Sequence, residues 1–70
     1  MEALDDRSLE GLAERVEAEY REMPGLSLTE PQAERLFGLD GSTCRYVLDW
    51  LQRERVLRRT AEGRYIRLGI

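Results

Sequence analysis

Apolar residues recur at spacings of three and four along the first two thirds of this 70-residue chain, which is the pattern of amphipathic helices. The stripe predicts a first helix over residues 5–23, with Asp5 as its N-cap and Leu4 packed against Leu9. Met23-Pro24-Gly25 ends it, because proline disfavours the helical conformation of the preceding residue and the glycine can adopt a positive φ. The apolar face of this helix comprises Leu9, Leu12, Ala13, Val16, Tyr20 and Met23.

A second, shorter helix is predicted over residues 30–37. Thr29 is its expected N-cap, and Gln32 stands at the position that completes a capping box. Gly38 interrupts the pattern and limits the length of the helix. The residues expected to be buried are Ala33, Leu36 and Phe37.

A third helix is predicted over residues 41–55, with Asp40 as its N-cap. Its buried stripe is expected to comprise Cys44, Val47, Leu48 and Leu51. The residues expected to face outward are Ser42, Arg45, Tyr46, Asp49 and Arg53, with Trp50 on the flank. A cysteine on the buried stripe is expected to be an inert small hydrophobe rather than a redox sensor.

The remaining segments have the pattern of β-strands. Residues 26–28 alternate apolar and polar and predict a short strand, and residues 56–68 predict a β-hairpin that is rich in β-forming residues. Gly63 closes the hairpin loop at a position that needs left-handed backbone. The order of elements predicts an α+β fold in a single domain spanning residues 1–70.

Composition argues against several classes of function. The chain has no histidine and one cysteine, so it has neither the commonest general base nor an intramolecular disulfide. No phosphate loop, catalytic pairing or metal-ligand spacing is present, and we expect neither an enzyme nor a cofactor or metal. No apolar run reaches the length of a membrane span, and the acidic stretch 1–6 is unlike a secretory signal. The expected location is the cytoplasm.

Charge divides the chain into two unlike halves. Residues 1–40 hold four Arg and eleven Asp or Glu, a net charge of −7, whereas residues 41–70 hold seven Arg and three Asp or Glu, a net charge of +4. This asymmetry favours a basic binding end on an acidic body.

The order of elements resembles the winged helix-turn-helix family of bacterial transcription regulators. Within residues 28–40, Ala33 is the small residue of the first helix of the pair and Gly38 the glycine of the turn. Residues 47–65 are similar to the run from recognition helix into wing, although the family often has a glycine where this chain has Arg55. The resemblance spans residues 26–68 and implies a three-helix winged helix-turn-helix with a C-terminal β-hairpin wing.

The resemblance also implies binding to duplex DNA, with the third helix in the major groove. Arg45 is then the candidate for a bidentate contact to guanine, and Ser42 and Thr43 suit phosphate contacts. Asp49 could accept from a cytosine amine or pair with Arg45 or Arg53. The full set of residues expected to contact DNA is Ser42, Thr43, Arg45, Tyr46, Asp49, Arg53, Arg58, Arg59 and Arg64. A homodimer on two half-sites is expected, since one small domain makes few contacts.

The alternative is a protein-interaction module, because winged helices serve in both roles. Tyr46 and Trp50 share a flank of the third helix and would dock a protein partner if both rings are exposed. A continuous positive face on the third helix and wing would favour DNA. A mixed face with exposed aromatic rings would favour a protein partner.

Overall fold

A computed structural model describes residues 9–68 as an α+β fold with the layout of a winged helix. The elements in chain order are α1 (Leu9–Glu22), β1 (Leu28–Thr29), α2 (Glu30–Phe37), α3 (Gly41–Arg53), β2 (Leu57–Arg59) and β3 (Arg64–Arg67). Within this part of the chain, each helix is too short or too polar to cross a bilayer.

The three strands form one antiparallel sheet in the order β1-β3-β2. Leu28 of β1 pairs with Tyr65 of β3, and Arg58 of β2 pairs with Ile66 of β3. The hairpin loop closes with the Thr60 amide donating to the Arg64 carbonyl, and Gly63 takes a φ of 84°. The prediction of a left-handed glycine at this position is confirmed.

The core lies between the three helices and one face of the sheet, with α1 packed against α3, and α2 and α3 packed against the strands. Its buried residues are Ala13, Val16, Tyr20, Leu28, Ala33, Phe37, Cys44, Val47, Leu48, Leu51, Leu57 and Tyr65. Tyr20 is fully buried, and its hydroxyl donates to the Tyr65 carbonyl at 2.8 Å. This bond satisfies the hydroxyl inside the core and ties α1 to the central strand. Burial raises the pKa of Tyr20.

The caps that the sequence predicts for the second and third helices are present. The Gln32 amide donates to the Thr29 hydroxyl, and the Gln32 side chain accepts from the Thr29 amide, which completes the capping box. Gly38 ends α2 with a φ of 68°. Asp40 caps α3 by accepting from the Thr43 amide at 2.7 Å. That backbone bond lowers the pKa of Asp40.

Several predicted boundaries differ from the observed ones. The first helix ends at Glu22, and Met23 lies beyond it with 45% of its surface exposed. Residues 5–8, with the expected cap and staple, lie outside the described residues. Positive φ at glycine occurs at Gly38 and Gly63 and not at Gly25. The first strand is Leu28–Thr29 rather than residues 26–28. The third helix ends at Arg53 rather than at residue 55.

The expected burial of Leu36 is wrong, because its side chain is 52% exposed. Ala33 and Phe37 are four residues apart and both face the core. Leu36 is rotated by about 100° from Phe37 on a helix of 3.6 residues per turn, so it points away from that contact.

Among residues 9–68, Arg55 is the non-glycine residue with a positive φ, and its backbone is strained. It has a φ of 64°, and it follows α3 where the Val56 amide donates to the Leu51 carbonyl at 2.9 Å. This is the helix-ending turn in which glycine is preferred, because a side chain in left-handed backbone costs about 1–2 kcal/mol. Proteins of the winged helix-turn-helix family, which the chain resembles, often have glycine at the position of Arg55.

We expect Arg55→Gly to raise the free energy of unfolding by about 0.5–1 kcal/mol, since relief of strain exceeds the added entropy of the unfolded chain. Urea unfolding followed by the fluorescence of Trp50 measures this change. The control is Arg15→Gly in the middle of α1, which should destabilise by roughly 1 kcal/mol. Loss of stability in Arg55→Gly would show that the left-handed conformation is not a source of strain.

Candidate nucleic-acid interface

Helix α3 presents four surfaces around its axis. Cys44, Val47, Leu48 and Leu51 face the core. At 100° per residue, Arg45 and Gln52 lie on the flank toward the wing, and Trp50 and Glu54 lie on the flank toward α1. The crest between the flanks carries Ser42, Tyr46, Asp49 and Arg53, and all four are exposed.

A shallow depression lies between the wing-side flank of α3 and the sheet. Three of the residues that the sequence singled out, Arg45, Asp49 and Arg59, meet there although they come from two different elements. The complete lining of this depression, which we call the α3–wing depression, is Glu30, Arg45, Asp49, Gln52, Arg59 and Tyr65. The helix and the wing therefore form one continuous surface.

Arg45 is held by α2 through an ion pair with Glu30. Its Nε lies 3.3 Å from a Glu30 carboxylate oxygen, and the Arg45 side chain remains 70% exposed. The carboxylate of Asp49 instead accepts a hydrogen bond from the side-chain amide of Gln52 at 3.3 Å. Of the partners suggested for Asp49, neither Arg45 nor Arg53 forms an ion pair with it within residues 9–68.

Glu30, Gln52 and Tyr65 line the depression but were not among the predicted site residues. Glu30 comes from a different helix and lies 15 residues before its partner Arg45. A pair at that separation is set by the packing of α2 against α3, for which the sequence gives no local signal. Gln52 stands three positions after Asp49 on α3, so helical periodicity alone could have placed the two side by side.

The N-terminus of α3 is occupied by its own cap. Asp40 accepts from the Thr43 amide, and the Ser42 hydroxyl lies 3.3 Å from the same carboxylate. The groups predicted to contact phosphate are therefore engaged with a carboxylate, which repels phosphate. Ser42 is exposed and Thr43 is half-buried.

The wing arginines divide between the two faces of the hairpin. Leu57 and Tyr65 are buried on the inner face, and period-2 alternation places Arg59 on that face also. The Arg59 guanidinium lies 5.9 Å from the centroid of the Tyr65 ring, beside the α3–wing depression. Arg58 and Arg64 lie on the opposite, outer face, where Arg64 donates to the Ser27 carbonyl at 3.3 Å.

Tyr46 and Trp50 form an aromatic pair on the α1 side of the crest. The two ring centroids are 6.3 Å apart in an edge-to-face arrangement. Tyr46 is 49% exposed, whereas Trp50 is half-buried against the core. About half of the Tyr46 surface is therefore available to a partner, whereas Trp50 also packs against the core.

Cys44 is buried on the core side of α3, as predicted. Burial, with Glu34, Glu30 and Asp40 nearby, raises the pKa of its thiol to about 11. The thiol is therefore protonated at neutral pH and is a poor nucleophile. Within residues 9–68, no three His, Cys, Asp or Glu side chains cluster as metal ligands would.

Comparisons with family models, with curated proteins and with solved structures find no match. The fold and the geometry of α3 and the wing are therefore the basis for proposing a function.

Proposed function

We propose that this chain is a winged helix-turn-helix protein that binds duplex DNA, with α3 in the major groove and the wing against the backbone. The observation that carries the proposal is the α3–wing depression, where Arg45 of the helix and Arg59 of the hairpin line one exposed surface. A helix flank and a hairpin that meet in this way match the docking geometry of helix-turn-helix proteins, in which the second helix of the pair contacts base edges.

Each exposed group on this surface has a chemically suitable DNA partner. Arg45 is the residue for a bidentate contact to guanine, and it must exchange Glu30 for the base to do so. Asp49 accepts from a cytosine amine. Arg53 and Arg59 are exposed and suit phosphate contacts, which fix the register on the duplex.

The charge distribution of the described residues supports this orientation. Residues 41–68 carry seven Arg against three Asp or Glu, whereas residues 9–40 carry three Arg against eight Asp or Glu. A duplex therefore attracts the α3 and wing end of the molecule and repels the α1 end. We infer the role of a small transcriptional regulator or accessory factor in a bacterial cytoplasm, acting as a homodimer on two half-sites.

Mapping the contact by NMR tests the proposal. Titration of the ¹⁵N-labelled protein with a random-sequence duplex should shift the amide resonances of α3 and the wing, with the largest changes near Arg45 and Arg59. The resonances of the α1 amides that face away from the depression should not shift. The absence of shifts, or shifts concentrated on α1, would contradict the proposed interface.

A protein-interaction module is the second candidate, and the mixed charge of the α3 face favours it. Arg45 is paired with Glu30, Asp49 is exposed nearby, and Tyr46 presents half of its surface to solvent. In this case the Tyr46–Trp50 pair docks the partner and the arginines are ordinary surface. The two candidates separate on Arg59→Ala, which weakens binding to DNA but leaves a contact through Tyr46 unchanged.

A further inference from the structure

A groove runs along the α1-side flank of α3, away from the α3–wing depression. Its floor is apolar and comprises Ala13, Trp50, Leu51 and Val56. Its rim carries only carboxylates, from Glu10, Glu14, Glu17 and Glu54, and no basic residue lines it. Glu17 is paired with Arg21 at 3.6 Å, whereas the other three form no ion pair within residues 9–68.

The outer face of the wing has the opposite character. Ile66 stands at its centre and is half-buried, with Arg58 directly across the strand pair and Arg64 two residues before it. Both arginines are exposed, and within the described part of the chain neither is ion-paired with a carboxylate. Within residues 9–68, Ile66 belongs neither to the core cluster nor to the partly buried residues packed against it. We call Arg58, Arg64 and Ile66 the outer wing face.

We propose that the groove binds the outer wing face of a second copy of this chain. The two surfaces are complementary in charge and in polarity: an apolar centre flanked by arginines faces an apolar floor rimmed by carboxylates. Ile66 would pack against Trp50 and Val56, and Arg58 and Arg64 would lie beside the carboxylates. Electrostatic potentials of opposite sign across an interface favour association and fix the orientation of the two copies.

The contact uses two different patches, so every copy offers both a groove and a wing face, and association proceeds head to tail. This contact is therefore distinct from the two-fold homodimer proposed on DNA half-sites. It leaves Arg59 and the α3–wing depression uncovered, because they lie on the inner face of the hairpin and the other flank of α3. The inference therefore does not depend on DNA binding. If DNA binding is also correct, two copies joined in this way keep their DNA-facing surfaces free.

Charge reversal on each patch separately tests the proposal. In sedimentation equilibrium at low salt the wild-type protein should self-associate, and added salt should weaken the association. Glu14→Arg alone and Arg58→Glu alone should each raise the dissociation constant by about tenfold or more, because like charges then face each other. An equimolar mixture of the two variants should associate again, since each retains the patch that the other has lost.

The controls are Arg59→Glu on the inner face of the same strand and Arg15→Glu, which lies away from the groove on α1. Both should associate as the wild-type protein does. The neutral variants Glu14→Gln and Arg58→Gln give a milder form of the same test if a reversal perturbs the fold. A wild-type protein that stays monomeric at every salt concentration, a mixture that fails to associate, or an equal loss in Arg59→Glu would overturn the proposal.

Discussion

Replacing Leu48 by alanine is expected to lower the free energy of unfolding by about 2–5 kcal/mol. Leu48 is 1% exposed and lies on the core face of α3. Truncation removes buried apolar surface and leaves a cavity that the surrounding helices and sheet fill only in part. A domain of this size has a total stability of roughly 4–10 kcal/mol, so the variant should lose a large fraction of it.

Urea unfolding followed by Trp50 fluorescence measures this loss. The matched control is Leu36→Ala, because the same atoms are removed from a side chain that is 52% exposed. We expect that control to change stability by less than about 0.5–1 kcal/mol. Equal losses at the two positions would contradict the observed orientation of α2.

The double variant Arg45→Ala/Arg59→Ala is expected to bind duplex DNA roughly a hundredfold more weakly than the wild-type protein. Each arginine supplies a charge-assisted hydrogen bond worth about 1.5 kcal/mol or more, and 1.4 kcal/mol corresponds to a tenfold change in affinity. Both side chains line the α3–wing depression, but neither is buried, so the fold should tolerate their loss. Fluorescence anisotropy of a labelled duplex measures the change.

The control is Arg15→Ala/Arg21→Ala, which also removes two positive charges but does so from α1. Its affinity should stay within a few-fold of wild type. If both double variants lose affinity equally, net charge and not the α3–wing surface governs the binding. Unchanged affinity in Arg45→Ala/Arg59→Ala would leave the protein-interaction candidate as the better one.

The features that the sequence predicted correctly are those with local causes. Thr29, Gly38, Asp40 and Gly63 act within a few residues of their own positions, so residue type and spacing are enough to place them. The buried stripe of α3 is equally local, because helical periodicity on a 13-residue helix defines one apolar face. These signals determined the order of the elements.

The features that sequence reasoning missed depend on packing between elements. The ion pair between Glu30 and Arg45 exists because α2 lies against α3, and no pattern along the chain encodes that approach. Leu36 fits the apolar spacing as well as Phe37 does, and tertiary contact decides between them. Arg55 has no residue-type signal for a left-handed conformation at all.

The division of the wing arginines is an intermediate case. Strand alternation in the sequence already implies that Arg58 and Arg59 point to opposite faces. Which of those faces meets α3 follows only from the burial of Leu57 and Tyr65. Residue type and pattern therefore named Arg45, Asp49 and Arg59 as candidates, but could not show that these three line one depression while Arg58 lies on the opposite face of the hairpin.

The salt dependence of DNA binding decides whether α3 and the wing form a DNA interface. The measurement is anisotropy of a labelled random-sequence duplex titrated with the protein over a series of salt concentrations. Phosphate contacts from Arg53 and Arg59 predict that the logarithm of affinity falls linearly with the logarithm of salt, with a slope of about −0.9 per contact and about −2 in all. Absence of binding at low salt, or binding that salt does not weaken, would contradict the proposed function.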